Sequence, residues 1–134
     1  MSKNKGTLRG LHYQKEPYAE VKLIRCLKGS IWDVVVDLRE NSETFGKWFG
    51  AKLSDQNRKM MYVPKGFAHG FVTLEQNTEI LYLVSSFYVP DSEGILIWND
   101  PKVKIDWPIK YEVISNKDIN GSKLDSIVPI KLIS

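Results

Sequence analysis

The chain contains two histidines, and both lie in short segments of glycine and apolar residues. His12 lies within residues 9–13 (RGLHY), and His69 lies within residues 67–71 (FAHGF). Histidine is the side chain whose ordinary pKa is closest to neutrality, so it exchanges protons readily at working pH, and its neutral form also binds metals. The two segments therefore point either to proton transfer or to a metal site.

A metal site is the weaker of these two interpretations. Metal-binding barrels usually carry two or three histidines and a carboxylate at close spacing, often as His-x-His on one strand. Neither His12 nor His69 has a second histidine nearby, and Cys26 is the single cysteine of the 134 residues. Because there is only one cysteine, a cysteine-based zinc site and an intramolecular disulfide are excluded. We predict that no metal is bound.

Other catalytic classes lack their motifs. There is no Gly-x-Ser-x-Gly segment, and Cys26 lies in an alternating apolar stretch typical of a buried hydrophobic residue. There is no glycine-rich phosphate loop, so any bound phosphate would be held by side chains such as Arg9 and Lys117. Proton abstraction by histidine, with an acid to return the proton and a cation to stabilise an oxyanion, is the strongest catalytic hypothesis.

Composition predicts one globular domain over residues 1–134. Hydrophobic residues make up 43% of the chain and charged residues 26%, and the net charge is only +3, which does not indicate nucleic-acid binding. No apolar run reaches the roughly 20 residues that cross a bilayer, so no membrane partner is expected. The first residues show no secretory signal pattern, and we expect a cytoplasmic protein.

Short strands are the dominant pattern along the chain. We predict strands over residues 21–27, 31–38, 47–53, 58–63, 70–74, 78–85 and 94–98. The fifth and sixth of these are expected to form a hairpin, and residues 54–57 one helical turn. Many short strands at this spacing indicate an all-β sandwich or barrel. The pattern weakens after residue 109, although residues 115–118 resemble a turn or helix cap.

Together with their surroundings, the histidine segments resemble the signature of the dTDP-4-dehydrorhamnose 3,5-epimerase family. The similarity is carried in order by residues 6–14, 22–25, 32–39, 42–46, 62–71, 79–82, 98–101 and 105–108. It implies a cupin-like double-stranded β-helix, or jelly roll, that forms a homodimer. It also implies an enzyme of deoxysugar and polysaccharide biosynthesis that inverts C3 and C5 of a nucleotide-linked 4-keto-6-deoxyhexose, without a metal or an organic cofactor.

The resemblance assigns roles to individual residues. The implied catalytic set is His12 as the base, Asp118 as its dyad partner, Lys22 as the cation at the enolate oxygen, and Tyr82 as the acid on the opposite face. The implied substrate contacts are Arg9 and Lys117 at the diphosphate, Tyr88 at the nucleobase, and His69 and Glu93 elsewhere in the substrate site. Asp33 is expected to support the histidines, and a purely structural role is the alternative for His69, Tyr82 and Tyr88.

The chain also departs from the family pattern. Family members carry an N-terminal segment before the Leu-Arg-Gly-Leu-His motif, whereas this sequence begins just before it, so we expect that segment and its nucleotide contacts to be absent. Val21 replaces a glycine that many relatives carry. Two other functions therefore stay open: a single-carbon epimerase acting on another nucleotide sugar, and a non-catalytic jelly roll that binds a sugar nucleotide.

Overall fold

The computed structural model describes residues 2–133, which form nine strands, one short helix and two 3-10 turns. The strands are β1 (Thr7–Gln14), β2 (Lys22–Lys28), β3 (Ser30–Asp37), β4 (Trp48–Ser54), β5 (Met60–Val63), β6 (Phe67–Thr73), β7 (Glu79–Val84), β8 (Glu93–Ile95) and β9 (Val113–Ile114). The helix α1 spans Asn116–Ile119, and the 3-10 turns span Pro90–Ser92 and Leu124–Ser126.

The strands form two sheets that pack face to face. The large sheet has the order β4-β3-β6-β1-β8, with β9 parallel to β1, and the small sheet has the order β5-β2-β7. The pairings along both orders are antiparallel. This confirms the predicted all-β class.

An apolar core fills one end of the space between the sheets. Its members come from alternate positions of five strands, which is how a sheet presents one face. They are Ile24, Cys26, Ile31, Val35, Leu53, Met61, Val63 and Phe71. Cys26 is 2% exposed, as predicted for a buried hydrophobic residue. Each such side chain contributes about 1.5–3 kcal/mol by leaving water, so this end holds the sheets together.

A second apolar core lies on the outer face of the large sheet. There the segment after β8, whose sequence pattern is weak, packs Val103, Ile127 and Ile130 against Leu11 and Val34. These residues are at most 7% exposed. The segment therefore covers the sheet although it has little regular structure, and it carries α1 to the edge of β1.

The predicted hairpin of residues 70–74 and 78–85 is wrong. β6 pairs with β1 and β3 in the large sheet, whereas β7 pairs with β2 in the small one. The connection turns through Asn77, whose φ is 56°, and crosses from one sheet to the other. Consecutive strands of a jelly roll often change sheets in this way, and a local pattern does not show it.

Two smaller findings concern local structure. β1 was not predicted as a strand, because a glycine and a bulge break its alternation. Residues 54–57 form the predicted single helical turn, since the Arg58 N–H donates to the Ser54 carbonyl at 3.0 Å, and Ser54 and Asn57 also exchange side-chain-to-backbone hydrogen bonds of 3.0 and 2.9 Å. Among the described residues, no helix has both the length and the apolar character needed to cross a membrane.

Candidate functional site

A close approach of β1 to β6 sets the position of both histidines. Gly10 has φ of 118°, and a Cβ there would lie 2.6 Å from the Gly70 Cα and 2.8 Å from the His69 carbonyl oxygen. Only glycine fits such a contact without displacement. The strand register shifts between Arg9 and His12, so that His12 pairs with His69. The bulge turns both imidazoles towards the space between the sheets.

His12 is bound to a buried carboxylate. Its Nε2 lies 2.6 Å from Asp118 Oδ1, and the Gly10 N–H donates to Asp118 Oδ2 at 3.1 Å. The Asp118 N–H in turn donates to the Ser115 hydroxyl, which caps α1 and confirms the cap predicted at residues 115–118. Burial alone would raise the pKa of Asp118, but the hydrogen bonds from His12, Gly10 and Ser115 outweigh it and lower the pKa. An ionised Asp118 accepts from one ring nitrogen and leaves the other free to act as a base.

Lys22 enters the same space from the small sheet. Its side chain is 12% exposed and its Nζ lies 3.8 Å from Glu20 Oε1, whereas Arg25 on the same strand is exposed. This confirms the predicted inward direction of Lys22, since side chains alternate along a strand. Burial lowers the pKa of Lys22, and the nearby carboxylates oppose that shift.

Tyr82 lies on the same inner face. It pairs with Ile24, two residues from Lys22, and its ring opens onto a cavity that leaves 43% of the residue exposed. The ring centroid is 6.3 Å from that of His69 in an edge-to-face contact. Burial raises the pKa of Tyr82 and the charge of Asp33 adds to the rise, while Arg9 opposes it. The phenol is therefore protonated at neutral pH, as a general acid must be.

These side chains line one cavity of about 220 Å³. His12 belongs to its large-sheet wall, and Lys22 and Tyr82 belong to its small-sheet wall. The full lining is His12, Tyr13, Gln14, Glu20, Lys22, Tyr82, Val84, Tyr88 and Glu93. A base and an acid on facing walls are suited to moving protons on the two faces of one ligand.

Two of the predicted substrate contacts, Tyr88 and Glu93, line this cavity, and Lys117 and Arg9 line an adjoining one. Lys117 pairs with Glu93 Oε1 and lies 5.9 Å from the centre of the Tyr88 ring. The hydrogen bond to Glu93 raises the pKa of Lys117. An adjoining cavity of about 360 Å³ is lined in part by Arg9, His12 and Lys117, so two cations line it together with His12. A larger cavity of about 430 Å³ lies on the other side of Glu93 and Lys117, and neither histidine lines it.

His69 lies outside the cavity lining. It is 4% exposed, and its Nε2 is 2.6 Å from Oδ1 of the fully buried Asp33. The other oxygen of Asp33, Oδ2, is buried without a hydrogen-bond partner among the described residues. The structure thus places Asp33 on His69 and not on His12, and it places the His69 ring against Tyr82.

Gln14 and Glu20 line the cavity but were not singled out from the sequence. The Gln14 side chain donates to the Tyr18 and Phe87 carbonyls at 2.8 and 3.0 Å and accepts from the Val89 N–H at 2.7 Å. It thereby fastens the loop that carries Tyr88. Its position two residues after His12 on one strand would have placed it on the same face, had β1 been recognised.

Within residues 2–133, no group of three or more histidine, cysteine, aspartate or glutamate side chains is arranged to hold a metal ion. Independence from metals and organic cofactors stays a prediction.

Two facing antiparallel sheets with a polar cavity between them form a cupin-like jelly roll, as predicted. The family model described as dTDP-4-dehydrorhamnose 3,5-epimerase matches residues 1–126. The chain belongs to this family of carbohydrate epimerases, which confirms the resemblance seen in its motifs.

Individual relatives support this membership. The dTDP-4-dehydrorhamnose 3,5-epimerase of Shigella flexneri is 49% identical over 119 residues, covering 89% of this chain and 66% of that protein. The crystal structure of the Elizabethkingia anophelis NUHP1 enzyme has a TM-score of 0.88 at 49% identity, covering 90% of this chain and 68% of that one. The Legionella pneumophila Philadelphia 1 enzyme in complex with dTDP-4-keto-L-rhamnose has a TM-score of 0.91 at 38% identity, covering 98% and 72%. The chain spans about two thirds of the length of such relatives.

Proposed function

We propose that this protein inverts C3 and C5 of dTDP-4-dehydro-6-deoxyglucose, or a close nucleotide-linked 4-keto-6-deoxyhexose, to give the dTDP-4-dehydrorhamnose type of product. The observation that carries the proposal is the His12–Asp118 dyad facing Lys22 and Tyr82 across one cavity. Similar proteins that carry the activity in their names support the choice of substrate.

The first step is removal of a proton next to the C4 ketone. The ketone acidifies both neighbouring carbons because the resulting negative charge moves onto its oxygen. His12 takes the proton, and the carboxylate of Asp118 stabilises the imidazolium that forms. Lys22 stabilises the enolate oxygen, and its position in a largely buried setting strengthens that interaction.

The second step returns a proton from the opposite side. Tyr82 belongs to the small sheet and His12 to the large one, so an enolate held between them meets a base on one face and an acid on the other. After His12 passes its proton to solvent and Tyr82 regains one from solvent, the same two steps at the second carbon invert both centres. Arg9 and Lys117 hold the diphosphate, Tyr88 stacks on the base, and Glu93 contacts the substrate, while His69 supports the Tyr82 ring.

We also infer a homodimer. The outer face of the small sheet is apolar where a solvated sheet face is normally polar. Leu23 pairs there with Tyr62 and Leu83, while Arg25 pairs with Met60 and Leu81. The four β5 and β7 residues are 40–61% exposed. Such a face suits burial against a second copy related by a two-fold axis. A cytoplasmic location remains a prediction.

Proton NMR in D₂O tests the proposed reaction. The native protein is incubated with dTDP-4-dehydro-6-deoxyglucose, and deuterium is followed at C3 and C5. Incorporation at both carbons is expected, whereas incorporation at one carbon would identify a single-carbon epimerase. Tyr82→Phe should still exchange protons but form little inverted product, because only the acid is lost. No exchange with this or related nucleotide sugars would leave the non-catalytic binding alternative.

A further inference from the structure

Glu20 is a cavity-lining carboxylate to which the proposed reaction gives no role. It precedes β2, lines the cavity beside Lys22, and its side chain is 12% exposed, the same fraction as that of Lys22. Its Oε1 is 3.8 Å from the Lys22 Nζ, which makes an ion pair without a close hydrogen bond. A carboxylate so little exposed is rarely tolerated without a partner, and the partner here is the ammonium.

The surroundings of Lys22 show why such a partner matters. Burial lowers the pKa of Lys22, and Glu20 is the strongest of the charges that oppose it, ahead of Asp33 and Glu93. Asp33 is bound to His69, and Glu93 is bound to Lys117. The remaining titratable groups that line the cavity are His12, Tyr13, Tyr82 and Tyr88. Among these residues, Glu20 is therefore the one acidic group near Lys22 that is not paired with another basic side chain.

We propose that Glu20 is a positioning residue that keeps the Lys22 ammonium protonated and aimed into the cavity. The proposal rests on the proposed function for its catalytic meaning, because an enolate oxygen is stabilised by a charged lysine and not by a neutral amine. It adds a residue to the reaction that acts through Lys22 and need not touch the substrate.

Replacing Glu20 tests this directly. In Glu20→Gln the cavity keeps its shape and loses one negative charge, so the pKa of Lys22 should fall by about 1–3 units, the usual effect of an opposite charge at this distance. Because Lys22 acts as a cation, the alkaline limb of the epimerisation rate should move to lower pH by the same amount. Glu20→Asp keeps the charge and should restore most of the native profile. Glu43→Gln, on an exposed loop, serves as the matched control and should leave the profile unchanged.

A readout that does not depend on activity separates this proposal from the proposed function. Lysines are ¹³C-methylated, the Lys22 signal is assigned by its loss in Lys22→Arg, and it is titrated by NMR in the native and Glu20→Gln proteins. A fall of one unit or more supports the proposal, and an unchanged Lys22 titration overturns it. A fall in the pKa without any sugar exchange in the native protein would overturn the proposed function instead. In the Lys22→Arg background, whose guanidinium stays charged, Glu20→Gln must not shift the pH profile; a shift there would also overturn the proposal.

Discussion

Each histidine is held by one carboxylate at the same distance, yet the two differ in access. The His12 side chain is 31% exposed and lines the cavity, whereas the His69 side chain is 4% exposed. A base must reach the proton that it abstracts, so exposure selects His12. His69, bound to Asp33, instead packs edge-to-face against the Tyr82 ring.

The first prediction distinguishes the role proposed for His12 from that proposed for its partner Asp118. His12→Ala should abolish deuterium exchange at both carbons, because no other imidazole lines the cavity. Asp118→Asn keeps the size of the partner and removes its charge, so kcat should fall by about 10²–10⁴-fold with a small change in KM. The measurement is steady-state epimerisation, with circular dichroism to show that both variants fold. Native-like kcat in Asp118→Asn would show that the carboxylate does not support the base.

At this scale, the sequence predicted several of the side chains that meet in the cavity, but not the side chains that support them. His12, Lys22 and Tyr82 were predicted from motifs, and the structure brings them to one cavity. Glu20 was not predicted because a glutamate in a polar stretch is typical of a solvated surface, and only the packing of the small sheet shows that it faces inward. Gln14 was not predicted because β1 was not recognised as a strand, on which it shares the face of His12.

At the scale of the elements, the contact between β1 and β6 determines the position of His12. The two strands approach closely at Gly10 and Gly70, and the bulge that follows sets the direction of His12. The bulge also interrupts the alternation of apolar and polar residues by which a strand is recognised from sequence. β1 was therefore not predicted as a strand, although its residues carry the family motif. The bulge that orients His12 is thus also the feature that makes β1 hard to recognise from the sequence.

The second prediction tests that contact. Gly10→Ala would place a methyl group 2.6 Å from the Gly70 Cα at a φ of 118°, so both strain and overlap oppose it. We expect a loss of about 2–4 kcal/mol in the free energy of unfolding and a loss of exchange as His12 is displaced. Gly46→Ala has a similar positive φ but meets only a Leu124 methyl carbon, and should cost about 1 kcal/mol with activity retained. Urea unfolding of both variants gives their free energies of unfolding. Equal losses of stability would show that the close approach of β1 to β6 has no special role.

The third prediction concerns Asp37, which ends β3 and holds the following loop. Burial would raise its pKa, but hydrogen bonds from Arg39, Ser42 and Thr44 outweigh burial and hold the pKa well below its usual range. Because the pKa is lower in the folded state, the contribution to stability is present above about pH 4 and is lost as the pH falls below that value. Asp37→Asn should therefore cost about 2–4 kcal/mol at pH 7, and the difference from the native protein should shrink in acid. Unfolding curves of both proteins between pH 3 and pH 7 measure this difference in the free energy of unfolding. A difference that stays constant over that range would contradict the prediction.

Over the whole molecule, the two sheets are covered unequally. The segment after β8 buries the outer face of the large sheet, whereas the outer face of the small sheet is open and apolar. The composition indicated one domain, the pattern of short strands indicated the all-β class, and the family motifs indicated the jelly roll. The crossing between β6 and β7 and the wrapping of the last third were not visible, since both depend on contacts far apart in sequence.

The last prediction follows from the open face. If a second copy covers the outer face of the small sheet, Leu83→Lys places a charge beside Leu23 within the contact. The substitution should then convert a dimer into a monomer. Val128→Lys is the matched control, because Val128 is 83% exposed and belongs to the C-terminal segment outside this face. Sedimentation velocity at about 50 µM compares the two variants with the native protein, and thermal melts confirm folding. A native monomer would contradict the proposed homodimer, and a Leu83→Lys dimer would place its interface elsewhere. Deuterium exchange by a folded Leu83→Lys monomer then shows whether one cavity suffices, as expected if His12, Lys22 and Tyr82 of one chain complete the site.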